Sequence, residues 1–154
     1  MDKINTKLLT GPTLIEGSRF VDDRGSLLFM NSLTLSDVKR FYLVENHRQG
    51  FVRAWHGHLK ESKLFFPIEG AFQVGVARID DKGNPLKESA AQKFILDSAK
   101  PVGLFIPAGF ANGSKSLTEN AKLLIFSSTS LDESKGDDYR IQYDYWNIWN
   151  EDFR

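Results

Sequence analysis

Two histidines one residue apart, His56 and His58, stand five residues ahead of Lys63 in the stretch Gly-Phe-Val-Arg-Ala-Trp-His-Gly-His-Leu-Lys-Glu-Ser-Lys that opens at Gly50. On an extended strand, alternate side chains share a face. Ala54, His56 and His58 would therefore line one side, and Arg53, Trp55 and Gly57 the other. Imidazole is the side chain whose ordinary pKa lies nearest neutral pH, which suits it to taking and returning a proton. A lysine turned inward beside such a pair would stabilise an enolate oxygen or hold a phosphate. Arg24 and Arg53 carry the paired donors that grip phosphate, although either taken alone reads sooner as an ordinary surface residue. His47, in Glu-Asn-His-Arg-Gln, has no comparable context and reads as surface.

The elements that must position these groups are short strands. Apolar or β-branched runs recur at Ser26–Asn31, Val38–Glu45, Phe51–Trp55, Lys63–Pro67, Ala71–Ile79, Gln92–Leu96, Gly103–Ile106 and Lys122–Ser127. Turn-forming stretches divide them, among them Asp22–Gly25, Asp80–Pro85 and Pro107–Gly109. In Ala71–Ile79, Phe72, Val74 and Val76 alternate with Gln73, Gly75 and Ala77, a half-buried pattern, and the Asp80–Pro85 turn predicts a hairpin to Ala91–Leu96. Only Ser32–Val38 and Leu131–Arg140 look helical. Many short strands at this spacing predict an all-β sandwich or barrel, one domain over residues 1–154. The closing stretch places Tyr143, Tyr145, Trp146 and Trp149 together, either to stack on a nucleobase or sugar or to seal a barrel end or dimer seam.

Twenty basic residues balance twenty acidic ones, so nothing in the charge points to a nucleic-acid or membrane-surface partner. No apolar run approaches the ~20 residues of a membrane span, and the first residues lack a secretory apolar stretch. With no cysteine the chain builds no disulfide, which fits a cytoplasmic protein.

The frame Gly50, five residues, His56-Gly57-His58, four residues, position 63, six residues, Gly70 resembles the first motif of the cupins. Metal-binding cupins carry Glu at position 63; Lys63 offers three donors and no lone pair. In the second motif a His follows a Pro-x-Gly turn, and after Pro107-Ala108-Gly109 that place is held by Asn112, a poor ligand for a first-row metal. Two of four ligands are thus replaced, and the expectation is a jelly-roll barrel doing metal-free chemistry.

Four further stretches resemble the dTDP-4-dehydrorhamnose 3,5-epimerase (RmlC-like) family: Phe20-Val21-Asp22-Asp23-Arg24-Gly25, Asn46-His47 with Val52–His56, Ile106–Gly113, and Arg140–Asp144 with Ile148 and Asn150. The resemblance implies that His56 removes a proton alpha to a C4 ketone, with Lys63 over the developing enolate. Arg53 and Arg24, the latter reaching from a neighbouring subunit of a homodimer, would hold a pyrophosphate, and no cofactor is needed. The family's opposing tyrosine acid falls here at Ile125 or Phe126, and the His of its Pro-x-Gly run at Asn112, which can still hydrogen-bond phosphate. The His-x-His pair, Asp23–Leu27 and Val38–Tyr42 instead resemble the related dTDP-sugar 3,4-ketoisomerases. In that case His56 and His58 shuttle a proton while Tyr42 positions the sugar or supplies a proton. The implied substrate is a nucleotide-linked 4-keto-6-deoxyhexose of deoxysugar or surface polysaccharide biosynthesis. A cupin that binds a sugar nucleotide or glycan without turning it over is the competing class, with a metal-dependent oxygenase behind it.

Overall fold

The computed structural model describes residues 3–86 and 88–154. After a 3-10 turn at Thr6–Leu8 the chain runs through β1 (Thr13–Glu16), β2 (Ser18–Asp22), β3 (Gly25–Phe29), β4 (Arg40–Glu45), β5 (Val52–His58) and β6 (Lys63–Glu69). It continues with β7 (Ala71–Arg78), β8 (Gln92–Asp97), β9 (Val102–Ile106), β10 (Phe110–Ser116), β11 (Lys122–Ser127), a four-residue helix α1 (Leu131–Ser134) and β12 (Tyr139–Arg140).

Among the described residues two five-stranded sheets face each other, ordered β1-β9-β6-β11-β4 and β12-β5-β10-β7-β8, while β2 and β3 pair only with one another. All of these pairings are antiparallel. The all-β expectation holds, and the hairpin predicted across Asp80–Pro85 is the β7–β8 pair, with Phe72 opposite Leu96. No helix among the described residues is long and apolar enough to cross a membrane.

The core fills one end of the space between the sheets. Phe72, Val74 and Val76 of β7 meet Leu96 of β8, Leu104 and Ile106 of β9, and Phe65, Leu123 and Ile125 from β6 and β11. Parts of the outer faces are covered as well. On the first sheet Ile15, Leu64 and Phe105 pack with Ile4, Leu9, Met30 and Leu33 from the N-terminal segment. On the second, Trp55, Ala77 and Ala111 pack with Trp146 and Trp149.

That second layer corrects the half-buried reading of β7, whose outward residues Gly75 and Ala77 are buried under the C-terminal segment. The approach needs glycine. Gly75 of β7 pairs with Gly113 of β10, and a Cβ at Gly75 would come within 2.4 Å of the Trp55 ring, one at Gly113 within 3.0 Å of Trp149. Bare backbone at both positions lets the indoles lie against the sheet.

Ser32–Val38 is not helical. Leu33 forms a bridge with Ile4 and joins the outer apolar cluster, and the Ile4 amide donates to the Ser32 carbonyl (2.7 Å), so packing holds the segment as a strap. Of Leu131–Arg140 only the first four residues are helical, capped by the Ser130 hydroxyl accepting from the Glu133 amide (3.2 Å). The remainder turns inward to bury Asp137 and form β12.

Candidate active site

Where β4 and β5 face each other the sheets stay apart around a cavity of about 500 Å³. From the first sheet it is lined by Arg40, Tyr42 and Val44 of β4, Ile125 of β11, and Lys63 and Phe65 of β6. From the second come Arg53, His56 and His58 of β5, Asn112 and Ser114 of β10, and Arg140 of β12; Glu61, Ser134, Lys135 and Asp138 complete the wall. His56, His58, Lys63, Tyr42, Arg53 and Asn112 are thus brought to one space. Arg24 and Tyr143 are not part of it. Arg24 sits at the turn of the β2–β3 hairpin, bonded to Asp22, and Tyr143 is exposed at the surface, where its backbone carbonyl accepts from the Trp55 and Trp149 indoles (3.0 and 2.9 Å). His47 is likewise exposed.

Regular alternation accounts for most of the lining. In β4, Arg40, Tyr42 and Val44 turn inward while Phe41, Leu43 and Glu45 are exposed. In β10, Phe110, Asn112 and Ser114 turn inward, and Ala111 and Gly113 meet the tryptophan layer. β5 departs from alternation and corrects the expectation that Arg53 faces away from the histidines. Asn112 pairs with His56 but Ser114 pairs with Arg53, so three steps of β5 oppose two of β10. This bulge returns Arg53 to the face of His56 and His58 and leaves Ala54 and Trp55 to the outer cluster. The Arg53 Nε donates to the Asn46 side chain (2.7 Å), which holds the guanidinium at the cavity wall.

The electrostatics of the two imidazoles differ. His56 is pushed down to about 4, first by burial and then by the nearby Arg140 and Lys63 cations, so it is neutral with an available lone pair at pH 7. His58 is also lowered by burial and by Lys63, with Glu61 opposing. Its Nδ1–H donates to the Asp137 carbonyl (2.6 Å), leaving Nε2 as the unprotonated nitrogen, buried and without a hydrogen-bond partner among the described residues. Tyr42 is pushed up to about 12, chiefly by burial with Glu61 adding to it, so the phenol keeps its proton.

Residues outside the expected set matter as much. Glu61 is 2% exposed and lies between Arg40, His58, Lys63 and Ser127. Asp137, 1% exposed, accepts from three successive amides, Leu59, Lys60 and Glu61 (2.7, 3.0 and 2.9 Å), and thereby shapes the β5–β6 loop. Arg40 was legible as the residue sharing a face with Tyr42. Glu61 and Asp137 lie outside the strands, where no periodicity marks an inward side chain. The donor set does not suit a divalent cation: Glu61 faces Nδ1 of His58 rather than its free Nε2, Lys63 places an ammonium beside it, and the Asn112 amide donates to the His56 carbonyl (3.3 Å).

Comparison with known proteins places this architecture. The spore coat polysaccharide biosynthesis protein SpsL of Bacillus subtilis (strain 168) is 29% identical over 109 residues, 68% of this chain and 71% of SpsL. A double mutant of the 3,4-ketoisomerase QdtA from Thermoanaerobacterium thermosaccharolyticum, in complex with TDP, superposes with a TM-score of 0.64 at 23% identity, covering 90% of this chain and 93% of QdtA. The dTDP-4-dehydrorhamnose 3,5-epimerase of Bacillus anthracis str. Ames, with TDP and PPi bound, gives a TM-score of 0.72 at 20% identity over 92% of this chain and 83% of the epimerase. The fold is therefore the RmlC-like cupin barrel. Residues 10–150 match the family described as FdtA: WxcM-like, C-terminal, and the chain belongs to that family.

Proposed function

We propose that this chain is a single-domain isomerase of nucleotide-linked 4-keto-6-deoxyhexoses, acting by metal-free proton abstraction beside the ketone in deoxysugar or surface polysaccharide biosynthesis. The observation that carries the proposal is the convergence of a neutral His56, a buried Lys63 and a protonated Tyr42 on one cavity between the sheets. His56 takes the proton from the carbon alpha to C4, and the electron pair moves into the carbonyl to give an enolate. The Lys63 ammonium stabilises the oxygen as its charge develops. His56 stands on the second sheet and Tyr42 on the first. A phenol on the far wall can return a proton to the other face of the sugar, which is the requirement of 3,5-epimerisation. Tyr42 pairs in register with Ile125, so the acid absent from β11 is supplied by the neighbouring strand. The sequence kinship with a polysaccharide biosynthesis protein supports the same reading.

A specific observation favours 3,4-ketoisomerisation as the second reading. His56 and His58 share one wall, and Nε2 of His58 is a buried acceptor without a partner among the described residues. Two imidazoles on one side can take the C3 proton, accept the proton of the C3 hydroxyl, and deliver protons to C4 and its oxygen. Incubation with dTDP-4-keto-6-deoxyglucose in heavy water, followed by NMR, separates the readings. Deuterium at C3 and C5 identifies the epimerase, and deuterium with the carbonyl moved to C3 identifies the ketoisomerase. A bound substrate with no exchange overturns both and leaves the binding module.

Arg53, Asn112 and Arg140 are the side chains we assign to the nucleotide diphosphate. Arg24 completes that set from a second copy of the chain in a homodimer. Supporting this, among the described residues the β2–β3 hairpin pairs with no other strand and exposes Phe20, Val21 and Leu27 by 56%, 66% and 63%. Arg24→Ala weakens substrate binding in this reading while leaving the cavity of its own subunit intact. Equal affinity in the variant removes Arg24 from the site. The absence of cysteine fits a cytoplasmic setting.

A further inference from the structure

Three inward-facing residues form a row across the first sheet: Arg40 on β4 pairs with Ser127 on β11, which pairs with Lys63 on β6. The next inward row, Tyr42, Ile125, Phe65 and Leu104, is apolar apart from its phenol. A row holding two cations and a hydroxyl, with Lys63 only 8% exposed, would be costly to bury without a counter-charge. Glu61 supplies one. Its Oε1 accepts from the Arg40 guanidinium (3.0 Å) and from the Ser127 hydroxyl.

Its Oε2 is different. It lies 3.1 Å from His58 Nδ1 and 3.9 Å from Lys63 Nζ. The Nδ1 proton is already engaged by the Asp137 carbonyl, and Oε2 has no hydrogen bond among the described residues. One carboxylate oxygen is therefore fixed to the wall, and the other remains open toward the lysine and the imidazole.

We propose that Glu61 is a positioning residue, a buried carboxylate that keeps Lys63 as an ammonium at the cavity wall and orients it beside His58. The inference rests on the proposed proton-abstraction reading for its purpose, but its physical content concerns the unliganded protein. The chain carries an ammonium at the place where metal-binding cupins carry Glu, and it returns a carboxylate two residues earlier in the loop that Asp137 pins. The charged and titratable groups facing Lys63 are Glu61, Arg40 and Tyr42 from the first-sheet side, and His56, His58, Asp138 and Arg140 from the second. Burial draws Lys63 below the ordinary lysine range; Glu61 is the largest influence holding it up, with Arg40 opposing.

The test follows the Lys63 Cε resonance by carbon-13 NMR as pH is raised, with Lys63→Met as the assignment control. In Glu61→Gln, of nearly the same shape, the Lys63 titration should move down by about 1–3 pH units, the effect of losing an opposite charge at this range. The basic limb of kcat/KM should move down with it, whereas a merely structural role would scale the profile without sliding it. Glu61→Asp retains the charge and should restore the titration most of the way. If Glu61→Gln does not fold, Arg40→Gln probes the same balance in reverse: with the competing cation removed, the Lys63 titration should rise. An unmoved Lys63 titration in whichever of these folds overturns the inference. A moved titration with an unmoved kinetic limb upholds Glu61 as the partner of Lys63 and counts instead against Lys63 in the proposed reaction.

Discussion

Around β7, β8 and β9 the two sheets meet through Phe72, Val74, Val76, Leu96 and Leu104, all buried; around β4 and β5 the same sheets enclose about 500 Å³ lined by cations, imidazoles and carboxylates. At the closed end side chains fill the space, and stability comes from apolar area removed from water. At the open end the strands continue, interrupted by the bulge in β5, and the inward positions carry groups that must be partnered singly. Stability there depends on bonds such as Glu61 to Arg40 and Asp137 to three amides. Substitutions at the two ends should consequently fail in different currencies, one in rate and one in folding.

His56→Ala should show the largest effect. Loss of a general base typically costs about 10²–10⁴ in rate, and the unfolding midpoint should stay near that of the parent, because His56 is only partly buried at the cavity wall. An undiminished rate measured on the dTDP-4-keto substrate would remove it from the mechanism. Phe72→Ala is the mirror experiment. Phe72 is fully buried, and truncating a core phenylalanine costs about 3–5 kcal/mol in chemical denaturation. The surviving folded fraction should keep its KM, and a changed KM would mean that the two ends are mechanically coupled.

The smallest effect is in pH. His56 is held at about 4, below its ordinary value of 6.5, so between those values the unfolded chain takes up a proton that the folded chain refuses. Stability should be level above pH 6.5 and decline as pH falls toward 4, with His58 adding in the same direction. The acid limb of kcat/KM should fall near pH 4, since the proposed base is the neutral form of His56. A limb near 6.5 would show that neither burial nor the Arg140 and Lys63 cations hold the imidazole down in solution.

The same contrast explains what could be read before the fold was known. Strands that feed the closed end announce themselves by apolar alternation, as β7 does with Phe72, Val74 and Val76. β10, with Asn112, Ser114 and Ser116 buried along one face, shows no such pattern because it walls the cavity. The face carrying His56 and His58 followed from their spacing. Arg53 did not, because the bulge opposite Asn112 and Ser114 leaves no local sign in a single sequence. Nothing in Leu-Lys-Glu-Ser marks Glu61 for burial; what draws its loop inward is Asp137, 76 residues further along the chain.

The three tryptophans of the chain, Trp55, Trp146 and Trp149, form one cluster, the Trp146 and Trp149 ring centroids each 5.1 Å from that of Trp55, on the outer side of the strands whose inner side presents His56, Asn112 and Ser114. The tryptophan emission of the protein therefore arises from a single spot, one backbone layer behind the cavity. Ligand titrations can be followed by that emission without a label, and loss of the tail's docking would shift it to the red before the rest of the barrel unfolds.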